Sequence, residues 1–277
     1  MDDGQYEAGV PERRNRRRRR RRRQTTRGLL LLPHLITTAN LALGFFAITQ
    51  SFAGRHDLAA LGIVLAALAD AIDGRVARLA GTSSRFGVEY DSIADIVSFG
   101  VAPAMLAFAA GNLQVLGKPG WVMSFTFTVC AALRLARFNV SPGRYKGRFE
   151  GLPSPAAALM VATTQWFVSF LREEGRVIVN VPEWLVALSV VGLGLLMVSP
   201  IPYRSGKEID LRHPFGTLVL VVIALLLVIA RPSETLFAIV GAYLLSGPVD
   251  WLWRRHTGAT LEEVTAPVHG HAVGPDA

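Results

Sequence analysis

Asp70-Ala71-Ile72-Asp73-Gly74-Arg75-Val76-Ala77-Arg78 and, after eight further residues, Gly87-Val88-Glu89-Tyr90-Asp91-Ser92-Ile93-Ala94-Asp95 decide how this chain is read. Both stretches lie in apolar surroundings. A carboxylate at membrane depth costs roughly 2.5 to 3.5 kcal/mol, so four of them oppose insertion by about 10 kcal/mol unless something neutralises them. A bound divalent metal would do so. On a helix Asp70 and Asp73 are three apart and Asp91 and Asp95 four apart, so each pair projects from one face. Gly74 and Gly87 leave both helices bare where the carboxylates emerge, and two such helices can approach closely around a four-carboxylate cage. Oxygen-only ligands, with no His or Cys in the segment, favour Mg²⁺, Mn²⁺ or Ca²⁺ over zinc. The plainer reading, carboxylates solvated at helix ends or satisfied by Arg75, Arg78 and Arg85, suits a single Asp better than the set. Eight specified positions at ordinary residue frequencies recur by chance on the order of once in 10⁹ placements or fewer.

Working outward, the 277 residues are 51% hydrophobic, too apolar for a soluble protein that also carries a run of arginines. Apolar stretches fall near residues 29–52, 57–80, 93–110, 121–140, 155–171, 184–200, 215–230 and 235–252. Several approach the roughly 20 residues a helix needs to cross the hydrocarbon. The expected fold is therefore all-α and polytopic, with about eight transmembrane helices, the last two of which could instead form one re-entrant pair. With the N-terminus placed inside, 24 Lys and Arg fall on the cytoplasmic side and 5 outside, and without the N-terminal arginines the split is still 13 to 5. This obeys the positive-inside rule and puts the motif and the Arg-rich 134–148 segment at the cytoplasmic face.

Residues 1–28 hold ten arginines between Arg13 and Arg23. Such a block buries no core and is expected to be disordered, keeping the N-terminus inside and adhering to anionic membrane lipid. No folded nucleic-acid recognition module accompanies it, and no nucleic-acid partner is expected. No small-residue cleavage site follows the first apolar run, so it does not read as a signal peptide. The organisation read from composition is a disordered segment 1–28, a membrane core 29–200, a cytoplasmic loop with a C-terminal helix pair 201–256, and a disordered tail 257–277 in which His269 and His271 read as solvated. Cys130, the lone cysteine, sits in an apolar helix as a small hydrophobe.

The eight-position pattern resembles the signature of the CDP-alcohol phosphotransferases, membrane enzymes that exchange the CMP of a CDP-linked lipid for an alcohol, and matches it without a departure. "LLPHLITTANLALGFFA", "DSIADIVSFGVAPA", "LRLARFNV" and "FEGLPSPAAA" resemble the bacterial phosphatidylserine synthase branch over about residues 29–160, with "MVSPIPYRSGKEI" a weaker further match. The resemblance implies a six-helix core in which Asp70, Asp73, Asp91 and Asp95 ligate two Mg²⁺ or Mn²⁺ ions and Asp95 also deprotonates the acceptor hydroxyl. It places Gly74, Arg78, Ser84, Thr37 and Asn40 against the CDP moiety of CDP-diacylglycerol, makes L-serine the acceptor, and suggests a homodimer in the cell membrane. A glycine suits close approach of the diphosphate, and an arginine offers a planar fork to its oxygens. Asn40, in an apolar helix, would otherwise be explained by a bond between helices.

A serine zwitterion needs a cation for its carboxylate. Arg134 and Arg137, three apart at a helix end, are the candidates; cytoplasmic anchoring or C-capping accounts for most such arginines. Gly151, Pro153 and Pro155 read as shaping a helix start. Three rivals remain. The same chemistry could use glycerol 3-phosphate or an inositol phosphate, against which the "SFGVAPA" and "RFN" contexts stand. A polytopic prenyltransferase would carry Asp-rich motifs in both halves, whereas the second half holds only the isolated Asp210 and Asp250, with Asp276 in the tail. An ion transporter would show broken helices and a related second half.

Overall fold

The computed structural model describes residues 34–80, 85–140, 148–173, 181–204 and 214–257. Nine α-helices carry most of these residues. They are α1 (His34–Phe52), α2 (His56–Ala80), α3 (Arg85–Asp95), α4 (Ala102–Ala110), α5 (Lys118–Val140), α6 (Ser154–Glu173), α7 (Glu183–Val198), α8 (Pro214–Ala230) and α9 (Pro232–Thr257). Three-residue strands β1 (Arg148–Glu150) and β2 (Pro202–Arg204) pair antiparallel, Arg148 opposite Arg204 and Glu150 opposite Pro202. The described part of each of the eight apolar stretches read from sequence is mostly helix, so the fold is the expected all-α, polytopic one.

Among the described residues five helices are long and apolar enough to cross a membrane: His34–Phe52, Phe86–Ala110, Lys118–Val140, Ser154–Arg172 and Pro232–Thr257. The 25-residue α2 has the length, but Asp57, Asp70, Asp73 and Arg75 interrupt its apolarity. Helices α7 and α8 run to 16 and 17 residues. The last two helices are separate elements joined at Arg231, which donates its N–H to the Leu227 carbonyl at 2.8 Å.

The core mixes many alanines with a few large side chains, and many further large apolar residues face outward, as expected where lipid is as apolar as the core. One core cluster gathers Ala47, Ala59, Ala60, Ile63, Ala66, Phe99, Ala102, Leu106, Ala158 and Ala162 from α1, α2, α4, α6 and the turn before α4. The other joins Ala104, Phe127, Cys130, Ala131, Ala157, Val190, Met197 and Tyr203, with Cys130 in the role expected of it. Phe45, Phe52, Trp121, Leu195, Leu226 and Trp253 are exposed, presenting apolar area to the bilayer. Small side chains let backbones approach: a Cβ on Gly44 of α1 would overlap Ser98.

The third span departs from its expected start at residue 93. Its helix begins at Arg85 and is interrupted at Ile96–Val101 by a π-helical segment directly after Asp95. The wider turn resets the register, so α3 can aim its carboxylates by one rotation while α4 packs Ala102, Ala104 and Leu106 by another. Ser98 fixes the segment to α1 by donating to the Asn40 carbonyl at 2.9 Å.

Candidate active site

One end of the bundle collects the motif. The turns at 53–55 and Arg231, and the loop at 111–117, reverse the chain at the opposite end. The start of α1, the end of α2, the start of α3, the end of α5, the start of α6 and the end of α9 therefore meet at this one. Carboxylate oxygens of Asp70, Asp91 and Asp95 all lie within 4.8 Å of one another. Asp73 stands beside this trio and outside that distance set. It is buried, its Oδ2 accepts the Thr37 hydroxyl at 2.5 Å, and its Oδ1 has no hydrogen-bond partner.

Helix α1 orients the acids. Asn40, 1% exposed, donates its Nδ2 to Asp95 Oδ1 at 3.2 Å, and its own Oδ1 is buried without a partner. Thr38 Oγ1 meets the Tyr90 hydroxyl at 2.9 Å, and the His34 ring packs edge-on to Phe86 with centroids 5.7 Å apart. Asn40 thus makes the helix-to-helix bond expected of a buried amide, and its partner is the acid assigned as base. The polar residues of α1 earn their place in an apolar helix by holding the carboxylates of α2 and α3.

These acids fit a divalent cation. Like charges this close repel, and among the described residues none of the four carboxylates pairs with a Lys or Arg. The side chains of Arg78 and Arg85 lie outside the described residues; clustered oxygen donors and an unpartnered buried Asp73 Oδ1 suit a hard cation. Gly74 follows Asp73 in α2. Arg78 belongs to the same helix, but its side chain, like the whole of Ser84, lies outside the described residues.

On the far side of the trio, Arg134 of α5 is half-buried. Its Nη1 donates to Ser154 Oγ at 3.2 Å, its buried Nε has no partner, and Asp95 and Tyr243 lie within its electrostatic reach. Arg137 is differently placed: it forms an ion pair with Glu150 of β1. The pair expected to share a face is thus divided between two partners, and Arg134 is the member with an unsatisfied donor beside Asp95.

The model of the CDP-alcohol phosphatidyltransferase family matches residues 30–191, from before α1 into α7 and so across the motif. The chain belongs to that family. It is 36% identical over 226 residues to a CDP-diacylglycerol--serine O-phosphatidyltransferase of Helicobacter pylori, covering 81% of this chain and 92% of the relative. An enzyme of the same name from Mycobacterium leprae is 30% identical over 237 residues, 79% of this chain and 74% of the relative. An archaetidylserine synthase from Methanothermobacter thermautotrophicus is 33% identical over 180 residues, 63% of this chain and 70% of the relative.

Four residues around these acids carry no role in the sequence reading: Ser154, Tyr243 and the pair Arg148 and Asp250. Arg148 pairs with Asp250 of α9, which also accepts from Arg254 Nε at 3.0 Å. The sequence held one signal, Asp250 inside the apolar run 235–252, which implies a cation partner.

Proposed function

We propose that this chain transfers the phosphatidyl group of CDP-diacylglycerol to the hydroxyl of L-serine, releasing CMP, at the cytoplasmic face of the cell membrane. The observation that carries the reading is the convergence of Asp70, Asp91 and Asp95 within 4.8 Å beside a half-buried arginine with an unsatisfied donor. The names of its relatives supply donor and acceptor. Two ions of the Mg²⁺ or Mn²⁺ class, held by Asp70, Asp73, Asp91 and Asp95, would offset the diphosphate charge and acidify the acceptor hydroxyl. Asp95, oriented by Asn40, takes the serine hydroxyl proton; the freed oxygen forms a bond to the phosphatidyl phosphorus, and the phosphorus–oxygen bond to CMP breaks, CMP leaving with the electron pair. Gly74, Arg78 and Ser84 face the nucleotide diphosphate in this reading, and Thr37 and Asn40 support the carboxylates beside it. Arg134 takes the serine carboxylate as a charge-assisted pair, which fixes the hydroxyl relative to Asp95. Arg137, bound to Glu150, supports the same wall. A homodimer, as the resemblance suggests, would leave this site within one chain.

The test is incubation of purified protein with CDP-diacylglycerol, Mg²⁺ or Mn²⁺ and, separately, serine, glycerol 3-phosphate and an inositol phosphate. CMP release and phosphatidylserine formation with serine alone are expected. Release dependent on another acceptor would replace serine in this reading.

A further inference from the structure

The segment 148–154 holds both arginines of α5. Glu150 pairs with Arg137, and Ser154 receives Arg134 Nη1 at 3.2 Å. Long cationic side chains lose much rotamer freedom on being fixed, so their direction depends on how firmly these partners are held. The segment has little regular structure of its own: β1 has three residues, and an isolated two-stranded ribbon is at best marginal. Two backbone bonds hold its far end, Gly151 N–H to the Ile201 carbonyl at 2.9 Å next to β2 and Leu152 N–H to the Leu196 carbonyl of α7 at 3.0 Å.

Helix α9 grips this ribbon from the side. Asp250 accepts from Arg148 of β1 and from Arg254 of its own helix, with the Arg148 side chain only 8% exposed. On β2, the Tyr203 hydroxyl donates to the Leu244 carbonyl at 3.1 Å and the Tyr243 hydroxyl to the Arg204 carbonyl at 3.2 Å. Without the Asp250 charge, Arg148 and Arg254 would confront each other in a poorly hydrated place. Breaking a buried pair by removing one partner is strongly unfavourable, and the relief available to Arg148 is to leave, taking β1 with it.

We infer that Asp250 is a positioning residue for the acceptor side of the active site: by clamping Arg148 it fixes the 148–154 segment, which in turn sets the direction of Arg134 and Arg137. This rests on the acceptor reading of Arg134 given above. It assigns the C-terminal helix, which lies beyond the residues matched by the family model, a part in choosing and orienting the acceptor.

The experiment compares full-length wild type, Asp250→Asn, Arg148→Gln and the double variant. The serine and CDP-diacylglycerol KM values are measured separately by CMP release, alongside folded yield and thermal midpoint in detergent. Wild-type dependence on serine is established first; if another acceptor drives CMP release, the serine reading falls and the comparison is made on that acceptor. The expected result is a rise of about tenfold in the acceptor KM for each single variant, since misplacements near 1 Å are costly at reacting groups, with the donor KM within about twofold. The double variant should be no worse than either single one, because both act through one contact. Asp250→Glu should restore part of the loss, and Glu234→Gln, which removes the pair with Arg231 at the other end of α9, should change neither KM. Should Asp250→Asn fail to fold, Arg148→Lys carries the same readout. An unchanged acceptor KM at normal folded yield, an equal rise in both KM values, or additive single effects would each overturn the inference.

Discussion

At the scale of single residues, the site combines acids that repel one another with neutral partners that aim them. Asp95 is held by an amide, Asn40, and not by a cation, so its charge remains available for a proton or a metal. Asp95→Asn preserves the shape and the hydrogen-bonding capacity but removes the base. Turnover should disappear while CDP-diacylglycerol binding, measured by calorimetry in detergent, is largely kept through Asp70, Asp73 and Asp91. Asp70→Asn should lose both. Near-normal turnover in Asp95→Asn would move the base elsewhere. Arg134 makes the complementary case on the acceptor side. Arg134→Ala removes a charge-assisted contact of roughly 1.5 to 3 kcal/mol, so serine kcat/KM should fall about ten- to a hundredfold with the donor KM little changed. Lys at that position should restore activity only in part, because an ammonium cannot reproduce the planar fork. A matched rise in both KM values would assign Arg134 to the donor phosphates.

At the scale of elements, what the sequence revealed and what it concealed divide by range. The carboxylate pairs of α2 and α3 were legible because three- and four-residue spacings define a helix face locally. The π-helical turn at Ile96–Val101 was not, since its side chains read as apolar in either helix type and its register follows from packing Ser98 against α1. The ribbon was equally hidden. Its two strands have three residues each, far from any periodicity, and Arg148 meets Asp250 across 102 positions of sequence. Gly151 supplies the one local signal, in a segment whose prolines suggested only a helix start. It adopts φ +76°, and a Cβ there would collide with the Met197 carbonyl and come within 3.0 Å of the Ser199 carbonyl oxygen. Both left-handed strain and overlap with backbone oppose any side chain, together about 2 kcal/mol or more. Gly151→Ala should therefore lower the thermal midpoint by roughly 4 to 8 °C. Because the ribbon holds Glu150 and Ser154, activity in serine should fall further than the loss of folded protein explains. A midpoint within a degree of wild type would show that the ribbon yields without strain.

At the scale of the whole molecule, eight apolar stretches were legible in sequence, and among the described residues five helices have the length and composition that lipid imposes on a crossing. The outward-facing Phe, Leu and Trp, beside an interior rich in Ala, follow from the same solvent. The structure gathers the carboxylates, Arg134, the ribbon and the end of α9 at one end of the bundle, and the positive-inside count gives that end a side. Of the 29 Lys and Arg, 24 fall in segments that lead to the end carrying the site, residues 1–28 and 141–147 among them, although both of these lie outside the described residues. The donor's nucleotide is charged and cannot cross the hydrocarbon, so an active site at this end must open to the cytoplasm if the nucleotide is made there. Cysteines are introduced at Ser141 and at Gly175 in a Cys130→Ala background; these positions follow the ends of α5 and α6, which lie at opposite ends of the bundle. An impermeant thiol reagent added to intact cells should label Gly175→Cys and spare Ser141→Cys until the cells are opened. Cys130 is buried in α5 against α7, away from both helix ends. Labelling of Ser141→Cys from outside would invert the charge-based topology and place the carboxylates on the face where the nucleotide donor is absent.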